Sequence, residues 1–233
     1  MNMSFVVPGK KKRVLVVDDH PLIRAGMIRL IGRQEDMTCC GEAEDPRSLF
    51  AALADLNPDL ILLDLQLGDA DGLELIKSLR AQRPNLLIVV LSQCDEKLYA
   101  ERVLRAGAHG YIMKQRPVSE LLAGIRAVFE GELCLSSEMS MRLLRKAIQS
   151  DPAAEAPNGR PGAALLTERE LRVFRLLGQG IGTREIAGQL ELSIKTVEAH
   201  RENIKHKLGL VNAAALMQAA AAWLQNNASL TAS

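Results

Sequence analysis

The chain has 233 residues, 48% hydrophobic and 24% charged, with a formal net charge of +1. That balance excludes disordered and collagen-like chains and announces no partner by charge alone. The length exceeds the roughly 100 to 200 residues usual for a domain, so two modest domains are expected, each with its own core.

The basic run Lys10 to Arg13 leads into only four apolar residues, Val14 to Val17, before two aspartates. That is too short for a signal peptide or a membrane span, so the run reads as a solvated lead-in to a first strand. Helical periodicity follows over Leu22 to Arg33, and the alternation then repeats. Apolar runs at Met37–Cys40, Leu60–Leu63, Leu86–Leu91 and Gly110–Met113 are followed by helical stretches at Arg47–Leu56, Leu73–Gln82, Glu96–Arg105 and Val118–Phe129. Strands this apolar are buried on both faces, and their alternation with helices predicts an α/β domain with a doubly wound, five-stranded parallel sheet. Cys39, Cys40, Cys94 and Cys134 show no paired-ligand spacing and two are adjacent, which argues against a zinc site or a disulfide framework and fits a reducing cytoplasm. Asn227-Ala228-Ser229 matches a glycosylation acceptor, which without a secretory signal carries no weight.

In such sheets ligands sit outside the carboxyl ends of the strands, where strand order reverses. Asp18 and Asp19 follow the first run, Asp64 closes the third, Ser92 follows the fourth and Lys114 the fifth, so one rim collects polar groups. Singly, each has a bland reading: aspartate often caps helices, and a loop lysine is usually solvated. Together they form a set of hard oxygen ligands suited to magnesium, which favours phosphate as a further ligand. A carboxylate can itself become an acyl phosphate if cations neutralise the phosphoryl oxygens. Lys114 supplies a compact charge and Ser92 a hydroxyl donor. No Gly-rich phosphate loop is present, so a nucleotide is not the obvious donor.

These residues resemble the receiver domain of bacterial two-component response regulators. The match rests on VVDDH (Val16 to His20), LLDLQL around Asp64, Asp71-Gly72, Leu91-Ser92 and AGAHGYIMK ending at Lys114, and it covers about Lys12 to Gly131. The resemblance implies a flavodoxin-like receiver with Asp64 as phosphoacceptor. Asp18, Asp19, Asp64 and the backbone carbonyl of Gln66 would hold Mg2+ or another divalent cation. It implies a sensor histidine kinase or a small phosphoryl donor as the phosphate source. It makes Ser92 and Tyr111 a switch pair, the ring turning inward as the hydroxyl moves toward the phosphoryl group; the plainer reading of Tyr111 is a half-buried strand aromatic. Gln66 and Cys94 flank the site and are expected to tune the lifetime of the phosphorylated state. Two departures stand out. Leu67-Gly68 replaces the family's usual Met-Pro, which predicts a more mobile loop and a less well fixed metal carbonyl. Gln115 replaces the proline often found after the lysine.

From Gln149 to Ala163 the composition is that of a hinge, rich in proline, glycine and alanine. The expected domains are therefore residues 1–131, a linker over 132–163 with a helical start, and a small all-α domain over 164–233. Residues 161–233 carry 8 basic and 6 acidic side chains against 17 and 18 in residues 1–130, a weak basic excess. Thr167-Glu168-Arg169-Glu170 is a capping box, so a helix starts at Glu168 and stops by Gly178 or Gly180. Thr183 caps a short helix over Arg184–Leu190, Ser193 a third that ends at Gly209, and Asn212 a fourth over Ala213–Gln225. Two helices joined by Glu191-Leu192-Ser193 suggest helix-turn-helix, although periodicity alone also fits an unspecific bundle.

The stretch from Leu166 to Trp223 resembles the LuxR-type effector domain of the NarL/FixJ class of response regulators. It implies that the helix after Ser193 reads the major groove of double-stranded DNA, with Thr183, Arg184, Ser193, Lys195, Thr196, His200, Arg201, Asn203 and Lys207 as candidates for phosphate contact. Glu198, Ala199 and Glu202 occupy positions that commonly meet base edges. Glutamates repel phosphate but accept from cytosine amino groups, so they select among sites more than they add affinity. Homodimers on paired half-sites would compensate for the few basic groups. The Ala-rich last helix allows close approach of two copies or simple packing within its own domain.

The expected function is a cytoplasmic, phosphorylation-controlled transcription factor, not an enzyme that turns over a diffusible substrate. Two alternatives differ in class. One is a phosphotransferase acting through Asp64 on a small substrate, for which the chain lacks a lid, a second general acid and a substrate pocket. The other is a phosphorylation-independent DNA-binding or scaffold protein with a vestigial acidic rim, which would be indifferent to loss of Asp64.

Overall fold

The computed structural model describes residues 10–68, 70–149 and 166–228. Its contacts divide the chain into two units, residues 1–150 and 151–233.

In the first unit, β1 (Lys12–Val17), β2 (Met37–Ala43), β3 (Leu60–Asp64), β4 (Leu87–Ser92) and β5 (Gly110–Met113) form one parallel sheet in the order β2-β1-β3-β4-β5. Five helices alternate with them: α1 (Pro21–Gly32), α2 (Pro46–Leu56), α3 (Gly72–Gln82), α4 (Glu96–Arg105) and α5 (Val118–Phe129). Three of these helices begin where a side chain serves the orphan N–H groups, whereas α1 and α5 start without a side-chain cap. Asp45 and Ser48 form a reciprocal capping box on α2, Asp71 caps α3, and Asp95 caps α4. β2 runs further than its apolar stretch, because a register shift between Val14 and Leu15 lets Gly41–Ala43 pair with Leu15–Val17. One sheet face packs Val14, Val16, Leu60, Leu62, Val89 and Leu91 against Ile31 of α1 and Leu121, Ile125 and Val128 of α5. The alternate residues Leu15, Val17, Ile61, Leu63, Ile88, Val90 and Tyr111 are equally buried and point to the other face.

The last element of this unit is a thirteen-residue helix, α6 (Ser137–Gln149), where the sequence promised only a helical start to a linker. The segment before it covers the open edge of β5: Cys134 donates to the His109 carbonyl at 3.0 Å and accepts from the Tyr111 N–H at 2.8 Å. Buried Glu96 accepts the Ser136 N–H at 2.8 Å. α6 is then fastened to α4 through Lys97–Glu138, Lys146–Glu101 and an Arg142 bond to the Lys97 carbonyl. Pairing a sheet edge in this way removes a template for association. The hinge composition that follows lies outside the described residues, apart from Gln149 at the end of α6, and so does the expected boundary at residue 164.

The second unit contains α7 (Glu168–Gly178), α8 (Thr183–Gln189), α9 (Ile194–Leu208) and α10 (Ala213–Ala228). Thr167 and Glu170 form the anticipated capping box, and Ser193 caps α9. Leu171, Phe174, Leu177, Ile186, Val197, Ile204, Leu216 and Ala220 build the core, and Phe174 lies 5.8 Å from Trp223. The small residues of α10 serve that packing: a Cβ on Gly178 would come within 2.5 Å of the Ala220 carbonyl. In the turn between α8 and α9, Glu191 adopts a left-handed φ of 54°. Among the described residues no single helix is long and apolar enough to cross a membrane.

Candidate functional site

Strand order reverses between β1 and β3, so a crevice opens above their carboxyl ends. Asp18 and Asp19 emerge there from β1, and Asp64 is the last residue of β3. Ser92 ends β4, and Lys114 follows β5 with its N–H bonded to the Ser92 carbonyl at 2.8 Å. Five residues distant in sequence meet because parallel strands all deliver their ends to one rim.

The centre of the rim is a buried charge cluster. Asp18 and Asp64 are 3% and 2% exposed, and Lys114 Nζ lies 2.7 Å from Asp18 Oδ2 and 2.8 Å from Asp64 Oδ2. Burial pushes the Asp64 carboxyl up to about 6, against the pull of the Lys114 ammonium, with the neighbouring Asp18 charge adding to the rise. Burial pulls the Lys114 ammonium down, but the two carboxylates more than offset it, so it stays above its ordinary range. Asp64 Oδ1 accepts the Gln66 N–H at 3.1 Å, which fixes the turn that leaves β3.

The ligand oxygens of Asp18, Asp19 and Asp64 and a ring nitrogen of His20 all lie within 4.8 Å of one another. His20, not singled out from sequence, brings Nδ1 to 3.2 Å from Asp18 Oδ1 and 2.6 Å from Asp19 Oδ1. The latter approach is not aligned as a hydrogen bond, and Asp19 Oδ1 is buried without a donor. Asp19 Oδ2 accepts the N–H of Gly68 at 3.1 Å. Glycine at φ +55° aims an amide that proline would lack. The Ala70 N–H also closes on the Leu67 carbonyl at 3.1 Å.

Ser92 is fully buried, and its hydroxyl accepts the Cys94 N–H at 3.2 Å. Tyr111, 1% exposed, is turned inward, with its hydroxyl donating to the Cys94 carbonyl at 2.9 Å. The ring is therefore fully buried rather than half-buried. Serine and tyrosine are joined through Cys94, a connection that sequence spacing could not display.

In the second unit, Lys195, Glu198, Ala199, Glu202, Asn203 and His206 are all exposed on α9. Their spacing of three and four residues makes one continuous solvent-facing stripe. His206 belongs to that stripe although sequence reading passed over it. Arg184 and Ser193 are also exposed, whereas Thr183, Thr196, His200, Arg201 and Lys207 are half-buried. Several of these are engaged within the unit: Arg201 donates to the Thr183 hydroxyl, the Thr196 and Ser193 hydroxyls lie 2.8 Å apart in a hydrogen bond, and Lys207 pairs with the buried Glu170 carboxylate at 2.7 Å. Lys205 is engaged with Glu202 at 2.8 Å. The freest charged groups of the face are thus Lys195 and Glu198, one of each sign.

Comparison with known proteins agrees with both halves. Residues 14–126 match the family model described as response regulator receiver domain, and residues 164–220 that described as bacterial regulatory proteins, luxR family. The oxygen regulatory protein NreC of Staphylococcus aureus is 33% identical over 199 residues, spanning 85% of this chain and 91% of the relative. Its Staphylococcus epidermidis counterpart is 30% identical over the same share of each chain. Among solved structures, the RcsB response regulator of Salmonella typhimurium is 28% identical with a TM-score of 0.53, covering 91% of this chain and 98% of that one. RcsB bound to promoter P1flhDC in the presence of phosphomimetic BeF3- is 28% identical with a TM-score of 0.54, covering 90% and 97%.

Proposed function

Because the chain belongs to the bacterial response regulators that join a receiver to a LuxR-type DNA-binding domain, and so is a phosphorylation-controlled transcription regulator, we propose that Asp64 is the residue that takes the phosphoryl group. The observation that carries this assignment is the burial of Asp64 at a strand end with Lys114 Nζ 2.8 Å from its carboxylate. A carboxylate oxygen displaces the donor's leaving group at phosphorus, forming an acyl phosphate. The P–N bond of a kinase phosphohistidine, or the P–O or P–N bond of a small donor, breaks, and its electron pair leaves with the donor. Lys114 exchanges carboxylate for phosphoryl oxygen as its partner, and Ser92 donates its hydroxyl to the same group.

Asp18, Asp19, Asp64 and the Gln66 carbonyl would hold a divalent cation. The donor set is dominated by hard oxygens, and Asp19 Oδ1, which lies 2.6 Å from His20 Nδ1, accepts no hydrogen bond that an incoming ion would have to break. Such an ion supplies charge neutralisation at the phosphoryl oxygens. The rim accepts one phosphoryl group and releases it to water, without turnover of a diffusible substrate. Partner and place follow: a sensor histidine kinase, in the cytoplasm.

The exposed stripe of α9 would enter the major groove, with Lys195, Arg184 and the α9 amino end beside phosphates, and Glu198, Ala199 and Glu202 against base edges. Two copies would read half-sites about one helical turn apart. The acyl phosphate carries about two negative charges where the carboxylate carried one, and it biases the switch pair of Ser92 and Tyr111 toward the inward state. The test is selection of bound DNA from a random pool, with and without a small phosphoryl donor and magnesium. A motif should be enriched by the wild-type chain with donor and lost in Asp64→Asn. Equal enrichment by both would favour the phosphorylation-independent alternative.

A further inference from the structure

The acidic pair leaves β1 on a loop that must hold two adjacent carboxylates side by side against their mutual repulsion. A side chain of α1 that belongs to no strand end reaches that loop. Arg24 Nη1 of α1 donates to the backbone carbonyl of Asp18 at 2.7 Å, the carbonyl of the peptide that joins Asp18 to Asp19. Its remaining nitrogens are tied to the end of β2, with Nε 2.7 Å from Glu42 and Nη2 3.3 Å from Glu44. The Arg24 side chain is 12% exposed, whereas those of Glu42 and Glu44 are 54% and 65% exposed.

We propose that Arg24 is a positioning residue for the divalent-cation site, fixing the Asp18–Asp19 peptide from behind so that both carboxylates face the crevice. The inference rests on the reading of the rim as a cation site and adds a residue to it. The guanidinium touches neither rim carboxylate, so it does not compete with an ion for their oxygens. Glu42 and Glu44 balance its charge, which limits its repulsion of a cation. What it sets is the plane of one peptide. Rotating that peptide would swing Asp19 relative to Asp18, whose amide is held by Ala43 and whose carboxylate is held by Lys114. A charge-assisted bond of this length is among the stronger ones, and the rigid fork of a guanidinium serves the carbonyl and both glutamates at once. Partners one shell behind metal ligands commonly change affinity by about 10- to 100-fold.

The test is titration of the full chain with Mn2+, followed by the electron paramagnetic resonance of free Mn2+, well below the melting transition. Arg24→Met should weaken Mn2+ binding by about ten-fold or more, and Arg24→Lys should restore part of that. Arg126→Met, which removes the exposed Arg126–Asp36 pair elsewhere on the unit, should leave affinity within about two-fold. If Arg24→Met does not fold, Arg24→Lys carries the test and must lose affinity several-fold. A purely structural role would lower the melting temperature and leave Mn2+ affinity unchanged, which overturns the proposal. Asp19→Asn separates the two readings. If it binds Mn2+ as well as the wild type does, or if the wild type binds none, the cation site itself is wrong and Arg24 falls with it.

Discussion

Lys114 Nζ sits 2.8 Å from Asp64 Oδ2 in a pocket where its side chain is 7% and that of Asp64 2% exposed, and the same ammonium also holds Asp18. The lysine ammonium bridges both buried carboxylates. Lys114→Met therefore leaves two like charges buried and uncompensated. The expected loss is about 3 kcal/mol of stability at pH 7.5 without divalent cation, as for breaking other buried pairs. Urea denaturation of the first unit checks it, and the loss should shrink at pH 5 as Asp64 takes up a proton.

The folded-state carboxyl of Asp64 titrates near 6 against an ordinary 3.8. A raised carboxyl binds its proton more tightly in the folded state, so its contribution to stability is complete below about pH 3.8 and is lost as pH rises through about 6. Asp64→Asn should accordingly be more stable than the wild type at pH 7.5 without metal, by roughly 1 to 3 kcal/mol, with little difference near pH 4. Magnesium should narrow the gap at pH 7.5. A wild type as stable as Asp64→Asn across this range in metal-free buffer would contradict the burial argument.

Gly68 matters for its φ of +55° and for its N–H on Asp19. Gly68→Ala keeps the donor and adds left-handed strain, an expected cost of about 1 kcal/mol in thermal or urea melts. Gly68→Pro removes the donor and cannot adopt that φ, so it should cost more and also weaken cation binding. Equal stability of the proline variant and the wild type would show that the loop is not fastened as described.

In the second unit, Glu191 holds a left-handed φ of 54° without being glycine. Relief of that strain exceeds the extra chain entropy that glycine loses on folding, so Glu191→Gly is expected to stabilise the unit by about 0.5 kcal/mol. A rise in melting temperature, with DNA affinity held, is the outcome to look for.

The sheet and its rim were legible because two periodicities sufficed. Apolar runs such as Leu60–Leu63, alternating with helical stretches, fix a parallel sheet, and a parallel sheet fixes which end collects Asp18, Asp19, Asp64, Ser92 and Lys114. Caps were legible in part: Thr167 and Glu170 sit three residues apart and Ser193 precedes α9, whereas Thr183, expected as a cap, is the first residue of α8, behind Gly182, and its hydroxyl takes Arg201 instead. Bonds between residues far apart in sequence were not. Arg24 drew no notice in the sequence, and its bond to the Asp18 carbonyl, like that of Gly68 to Asp19, shows only in the folded chain. Lys207 read as a phosphate contact from its place on α9, yet it closes on Glu170 of α7. Leu133–Gln149 lay next to a hinge in sequence, and only the β5 edge and α4 show why this stretch packs with the first unit.

The central claim is that Asp64 carries the phosphoryl group. Intact-mass measurement of the folded chain, after incubation with a small acyl or amido phosphate and magnesium, tests it most directly. The wild type should gain one phosphoryl increment that is labile to base and missing from Asp64→Asn. An unmodified wild type, or an increment that persists in Asp64→Asn, would contradict it.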